Sequence, residues 1–173
     1  MKTKKRSRIL FTALGIVVAL PALSFGLSHL FPATTTREIT IDAQPEQVWE
    51  VLSDLESFPQ WHPTITTLSG EAVVGNTVAF TNEEGGSSIS FTPTVLAAEP
   101  ASELRWLGHV AFPGLMDGDH SFVLEPEGAG TRMTQSESFT GILGMFAPLF
   151  MDLGASFEAS NQALANFVES KFQ

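Results

Sequence analysis

The 173-residue chain has no cysteine and no tyrosine. Disulfides, thiolate nucleophiles and Cys-ligated metal sites are therefore excluded, and a pocket in this protein has few aromatic hydroxyls to offer. The chain suits either side of a membrane, because a Cys-free sequence carries no record of redox compartment. Basic residues are also scarce where the chain can fold. From Arg37 onward only Arg37, Arg105, Arg132 and Lys171 stand against all 19 acidic residues, a balance of −15. A phosphate backbone would be repelled by such a surface, so nucleic acid is not an expected partner. Internal repeats, low-complexity runs, a Gly-x-Ser-x-Gly elbow, a phosphate loop and a dinucleotide fingerprint are absent too.

Charge is missing in a second place. Lys2, Lys4, Lys5, Arg6 and Arg8 open the chain, and no Asp, Glu, Lys or Arg follows from Ile9 to Phe31. A run of ~20 apolar residues is enough to span a bilayer. A signal peptide is the competing reading, since its apolar core is shorter and Ala22-Leu23-Ser24 is a tolerable cleavage site. The length favours an uncleaved anchor. In both cases the basic cluster belongs in the cytoplasm and the rest of the chain outside it. The expected organisation is an anchor or signal segment over 1–31, a linker over 32–36 and one domain over 37–173. That last part is long enough to bury a sizeable core, with most of the 14 Phe and all three Trp to fill it.

What is present begins with REITIDAQPEQVWEVLSDLESFPQWHP, residues 37–63. Arg37–Ile41 alternates like a half-buried strand. Pro45 suits the first turn of a helix, where its missing N–H costs nothing. Val48, Trp49, Leu52 and Leu55 give that helix an apolar face, and Ser53 and Asp54 can cap a further short turn. Pro59 and Pro63 are expected to end helical structure and release the chain into strands. Strand-like runs follow at Thr64–Leu68, Thr77–Thr81, Ser88–Ala97, Glu103–Gly108, Met116–Glu125 and Thr131–Thr140, separated by turn-forming clusters. A last helix is expected from about Pro148 to Phe172. Just before and within its start, Met145–Met151 is apolar on all sides. Deep burial explains such a segment; a pocket gate or a membrane-facing lip is the functional alternative.

Together with TPTVLAAEPASELRWLG (92–108), PGLMDGDHSFVLEPEGAGTRMTQSESFTG (113–141) and FEASNQAL (157–164), residues 37–63 resemble the START-like superfamily, also known as the polyketide cyclase/dehydrase, SRPBCC or birch-pollen-allergen-like superfamily. The resemblance runs from about Arg37 to Phe172. It implies an α+β helix-grip fold: a curved antiparallel sheet, here of seven strands, two short helices after strand 1, and a long C-terminal helix gripped by the sheet. It also implies a cavity between sheet and helix that often takes an apolar ligand. It does not imply one reaction, because one fold hosts many functions.

Side-chain parity along the strands sorts cavity from solvent. Phe91 and Val95, Trp106, Phe122 and Leu124, and Met133 and Phe139 fall on inner faces. Three polar residues fall there with them: His120, Gln135 and Glu137. Trp61 and His62 are placed at a corner closing one end, and Phe146 and Phe150 on the stripe of the last helix. An apolar cavity with few convergent polar groups fits a small hydrophobic or amphipathic molecule. His120 and Glu137 lie on consecutive strands and could do acid–base work as in a cyclase, dehydratase or hydrolase. They could equally orient a ligand or fix strand register. A third possibility is a protein-interaction module that uses the Met145–Met151 lip. His62 reads first as a packing corner. Asp117-Gly-Asp-His120 invites a metal reading, but lacks further oxygen ligands and reads as a turn with Gly118 at its bend. No metal or cofactor is expected. Arg105 points outward, toward an acidic partner.

Overall fold

The computed structural model describes residues 19–149 and 151–172. The first described element is a helix, α1, over 19–30. Strand β1 is Ala33–Ile41, and α2 (Pro45–Ser53), a 3-10 turn at Leu55–Ser57 and α3 (Phe58–Trp61) follow. Seven strands come next: β2 (Ile65–Ser69), β3 (Ala79–Glu84), β4 (Ser87–Phe91), β5 (Thr94–Glu99), β6 (Glu103–His109), β7 (Asp117–Glu127) and β8 (Gly130–Thr140). A 3-10 segment, Gly144–Leu149, leads to α4 (Leu153–Phe172). This is the helix-grip architecture.

The strands pair antiparallel in the orders β1-β8-β7-β6-β5 and β2-β3-β4. Among the described residues one bridge, Thr77 to Thr94, joins the two sheets. The described residues hold eight strands rather than the seven expected, because Ser88–Ala97 is two. Pro93 has no N–H for a ladder, and the chain changes sheets there. Its carbonyl still accepts the Val78 N–H at 3.0 Å, so the corner is tied. Register shifts at Ile65/Thr67 and Val95/Ala97 add the local bends that curve the sheets.

Three further boundaries differ from expectation. β1 begins at Ala33, so the expected linker 32–36 is mostly strand: Ala33–Thr36 pair with Phe139–Ser136. Threonine-rich sequence without apolar alternation hides an edge strand of this kind. Pro59 opens α3 instead of ending helical structure, as proline at a first turn allows. The last helix begins at Leu153, not near Pro148, which lies inside the 3-10 segment. Deep burial of 145–151 also fails: Gly144 and Ala147 are buried, whereas Met145, Phe146 and Leu149 are exposed.

The main core joins α2, α3, the sheet and the C-terminal half of α4. Ile41, Val48, Leu52, Phe58, Val78, Met133 and Val168 are its fully buried members. A smaller cluster of Met116, Phe139 and Ala147 closes around Ala33, Met151 and Leu153 at the other end. Between the two clusters the interior is open. No helix among the described residues is long and apolar enough to cross a membrane. Of the anchor expected over 1–31, residues 1–18 lie outside the described residues, and 19–30 form α1.

Candidate functional site

The opening is a cavity of ≈ 530 Å³ between the inner face of the sheets and the N-terminal half of α4. Trp106, His120, Phe122, Gln135, Glu137 and Phe139 form one wall, as parity anticipates, and Phe91 and His62 also line it. Five other candidates lie elsewhere. Trp61, Val95, Leu124 and Met133 are packed into the main core, and Phe146 is an exposed residue outside the lining. Phe150 lies outside the described residues. The wall also includes residues that strand parity does not assign to it, among them Phe58, Ile65, Phe80, Asn82, Met116, Phe157 and Ser160. Phe157 was visible on the helical stripe. Phe80 and Asn82 belong to the second sheet, whose fold-over no periodicity encodes.

Register brings the polar groups together. Trp106 sits opposite His120 across β6 and β7, and His120 opposite Glu137 across β7 and β8. His120 Nδ1–H donates to Glu137 Oε2 at 2.5 Å. Gln135 Nε2 donates to His120 Nε2 at 3.1 Å. This geometry suits the ring tautomer that donates from Nδ1 and accepts at Nε2. Behind Gln135, Ser160 Oγ lies 3.3 Å from the amide oxygen and 3.1 Å from the Phe157 carbonyl. Trp106 stacks on the His120 ring at 5.4 Å between centroids and 12° between planes, and Phe157 meets its edge at 5.3 Å. The ring is thus clamped by two hydrogen bonds and by the rings of Trp106, Phe122 and Phe157. Gly118 makes room for this. It lies within β7, not at a turn, and a Cβ there would overlap Glu137 Oε1.

His62 is the second polar feature. Its Nδ1 accepts the backbone N–H groups of Ile65 at 3.1 Å and Thr64 at 3.3 Å. Its proton is therefore on Nε2, giving the cavity a fixed donor. Phe58 and Trp61 pack beside it, at 6.3 and 5.4 Å between ring centroids. Burial, and then the proximity of His120, pulls its pKa down to about 4. The packing-corner reading is therefore incomplete, because His62 also faces the cavity.

The acidic run has other duties. Asp117 accepts the Gly114 N–H on both carboxylate oxygens, at 3.0 and 2.9 Å. Asp119 binds Arg105 through two contacts of 2.7 and 2.5 Å on the outer face. That pairing holds the guanidinium pKa above its usual range. Among the described residues no three His, Cys, Asp or Glu side chains gather as a metal site would require.

The sequence profile described as polyketide cyclase / dehydrase and lipid transport matches residues 32–169. The chain belongs to that family. Solved structures agree on the fold. The Zhui aromatase/cyclase of a Streptomyces species superposes with a TM-score of 0.68 at 15% identity, covering 82% of this chain and 96% of that one. A START superfamily protein from Mycobacterium smegmatis gives 0.65 at 20%, covering 80% and 98%. A protein from Thermus thermophilus gives 0.64 at 19%, covering 82% and 100%. A search of curated protein sequences finds no match. At such identities the likeness establishes the START-like fold and leaves the ligand to be argued from the site.

Proposed function

We propose that this protein binds one small hydrophobic or amphipathic molecule between its sheets and α4, and that residues 1–31 hold it at the extracytoplasmic face of a membrane. The observation that carries the reading is the cavity itself: ≈ 530 Å³, walled largely by Phe, Trp, Ile and Met, with His62 and the His120–Gln135–Glu137 group among its polar lining. Burial of the ligand's apolar body supplies the affinity, at ~25 cal/mol per Å² removed from water. His62 Nε2–H suits a carbonyl or other acceptor. The His120–Gln135–Glu137 group suits a hydroxyl, which can both donate and accept. The open interior counts against a pure protein-interaction module, which would need a filled core. The name of the matched family, with its reference to lipid transport, and the printed START name of the mycobacterial neighbour support the same class of ligand.

Native mass spectrometry of the full chain purified from its own membranes tests this. A defined small molecule should co-purify, and Phe122→Trp, which fills the cavity, should lose it. A chain that emerges empty and takes up no apolar molecule would sink the reading.

One observation favours a second reading, acid–base catalysis. His120 and Glu137 are in direct contact beside an open cavity, as a general base and its orienting carboxylate would be. Glu137→Gln separates the two. The amide oxygen can still accept from Nδ1–H, so a binding protein should keep its ligand within about ten-fold, since one such contact contributes roughly 1.5 kcal/mol. An enzyme should lose turnover of that ligand while still binding it.

A further inference from the structure

One end of the molecule carries a surface that neither the cavity nor the core explains. Helix α1 does not lead away from the domain but docks on it. Ser24 Oγ donates to the Ile142 carbonyl at 2.6 Å. The fully buried Ser28 accepts the Gly141 N–H at 2.9 Å. Phe25 lies against Gly114, where an added Cβ would stand 3.3 Å from its ring. The two loops beneath α1 are bonded to each other as well: the Ile142 and Leu143 N–H groups donate to the Gly114 and Leu115 carbonyls, at 2.9 and 2.7 Å. Gly141 permits that approach. Its φ is +97°, and a Cβ would meet Gly114 O at 2.8 Å. The described part of α1, loop 110–116 and loop 141–149 therefore form one platform.

Composition sets this platform apart. It contains no Asp, Glu, Lys or Arg, in a chain with a net charge of −10. Its outer surface is largely apolar, with His29 of α1 as an exposed polar side chain. Among the described residues sixteen large apolar side chains are exposed, and eleven belong here: five from α1 through Phe31, two from the first loop and four from the second. Leu149 is 75% exposed, Leu30 72% and Phe31 68%. Scattered exposed leucines are ordinary; a charge-free gathering of this size at one end is the mark of an interface. The platform also borders the cavity, since Val110 and Met116 line it, as do Met151 and Leu153 just beyond the second loop.

The chain itself indicates what covers the platform. Residues 9–18, which lead directly into α1, are uncharged, and five basic residues precede them. We infer that the platform sits in the lipid bilayer: α1 and the two loops lay their apolar side chains among headgroups and upper acyl chains, with the platform side of the cavity toward the membrane. This inference rests on the proposed membrane attachment and changes its form: with 19–31 in the platform, the uncharged residues 9–18 are too few to span a bilayer, and the attachment is made at the interface. The ligand is then a membrane-soluble amphiphile that passes between bilayer and cavity with little exposure to water. The acidic side chains, all outside the platform, remain in solvent.

The absence of cysteine makes the test direct. Phe112→Cys and Leu149→Cys place single labels on the platform. Ser170→Cys provides a reference on α4, about 25 Å along the helix from its start at ~1.5 Å per residue. Each full-length variant carries a nitrobenzoxadiazole probe and is reconstituted into phosphatidylcholine vesicles with and without brominated lipid. Emission at 112 and 149 should shift to the blue and be quenched about two-fold or more by the brominated chains, with no change at 170. Flotation of the same samples reports the tether. Floating protein with all three labels in water overturns the platform while leaving the tether intact. Protein that does not float overturns both. A blue shift that depends on protein concentration and resists brominated lipid also overturns the inference, in favour of a second copy of the chain.

Discussion

His62 shows how a single side chain ties folding to the site. Its folded pKa of about 4 lies below the ordinary 6.5. The unfolded state therefore binds more protons between those values, and stability falls as pH drops from 6.5 toward 4. The loss should reach on the order of 3 kcal/mol by pH 4. Urea unfolding at pH 7 and at pH 4.5 measures it. In His62→Phe the part of the acid slope due to this residue should vanish, and an unchanged slope would assign it to other groups. Gly118→Ala is the matching steric test. The new methyl displaces the Glu137 carboxylate, so ligand affinity should fall by at least about ten-fold, while the steric cost stays within roughly 1–3 kcal/mol. At this scale parity placed His120, Phe122, Gln135, Glu137 and Phe139 on one wall. It misplaced Val95, Leu124 and Met133 for a physical reason. Alternation fixes the face of a strand, but not how far along that face the packed core gives way to open space.

Among the elements, α4 is two helices in function. Leu164, Ala165 and Val168 are sealed into the main core, whereas Leu153, Phe157 and Ser160 face the cavity. Leu164→Ala should cost about 2–5 kcal/mol in chemical denaturation, as truncations in packed cores do. Phe157→Ala should cost less, because part of that ring already borders open space, and should weaken ligand retention and free the His120 ring edge. Equal destabilisation by both changes would mean that the cavity half is packed as tightly as the core half. The apolar stripe announced the helix, and the strand runs announced most of the sheet. The stripe could not reveal that Pro148 falls in a 3-10 segment, nor could the strand-like run Ser88–Ala97 show that the chain changes sheets at Pro93. Both depend on where neighbouring elements leave room for a change of direction.

For the whole molecule the governing contrast is between an acidic body and an uncharged end. If the platform faces lipid, anionic vesicles at low salt should hold the body further off than phosphatidylcholine vesicles do. The Leu149→Cys probe should then be quenched less by brominated lipid in anionic membranes. The difference should fade as salt is raised to about 0.15 M, where the Debye length falls to ~8 Å. A difference that persists at high salt would point to lipid chemistry rather than charge. The individual stretches free of charge could be read from the sequence. Their assembly into one surface depends on the Ser24, Ser28 and Gly141 contacts between residues more than a hundred positions apart.

By itself the sequence determined the order of strands and helices, the family, the acidic character of residues 37–173 and the inward face of β7 and β8. The family follows from the resemblance of motifs along the chain; the rest follows from local periodicity, turn chemistry and charge, which act over a few residues or sum along the chain. Tertiary structure alone decided three things: that the interior stays open between two core clusters, that His62 presents a donor there, and that α1 joins two distant loops. Each depends on long-range contacts, and no pattern along the chain records the distance across a fold.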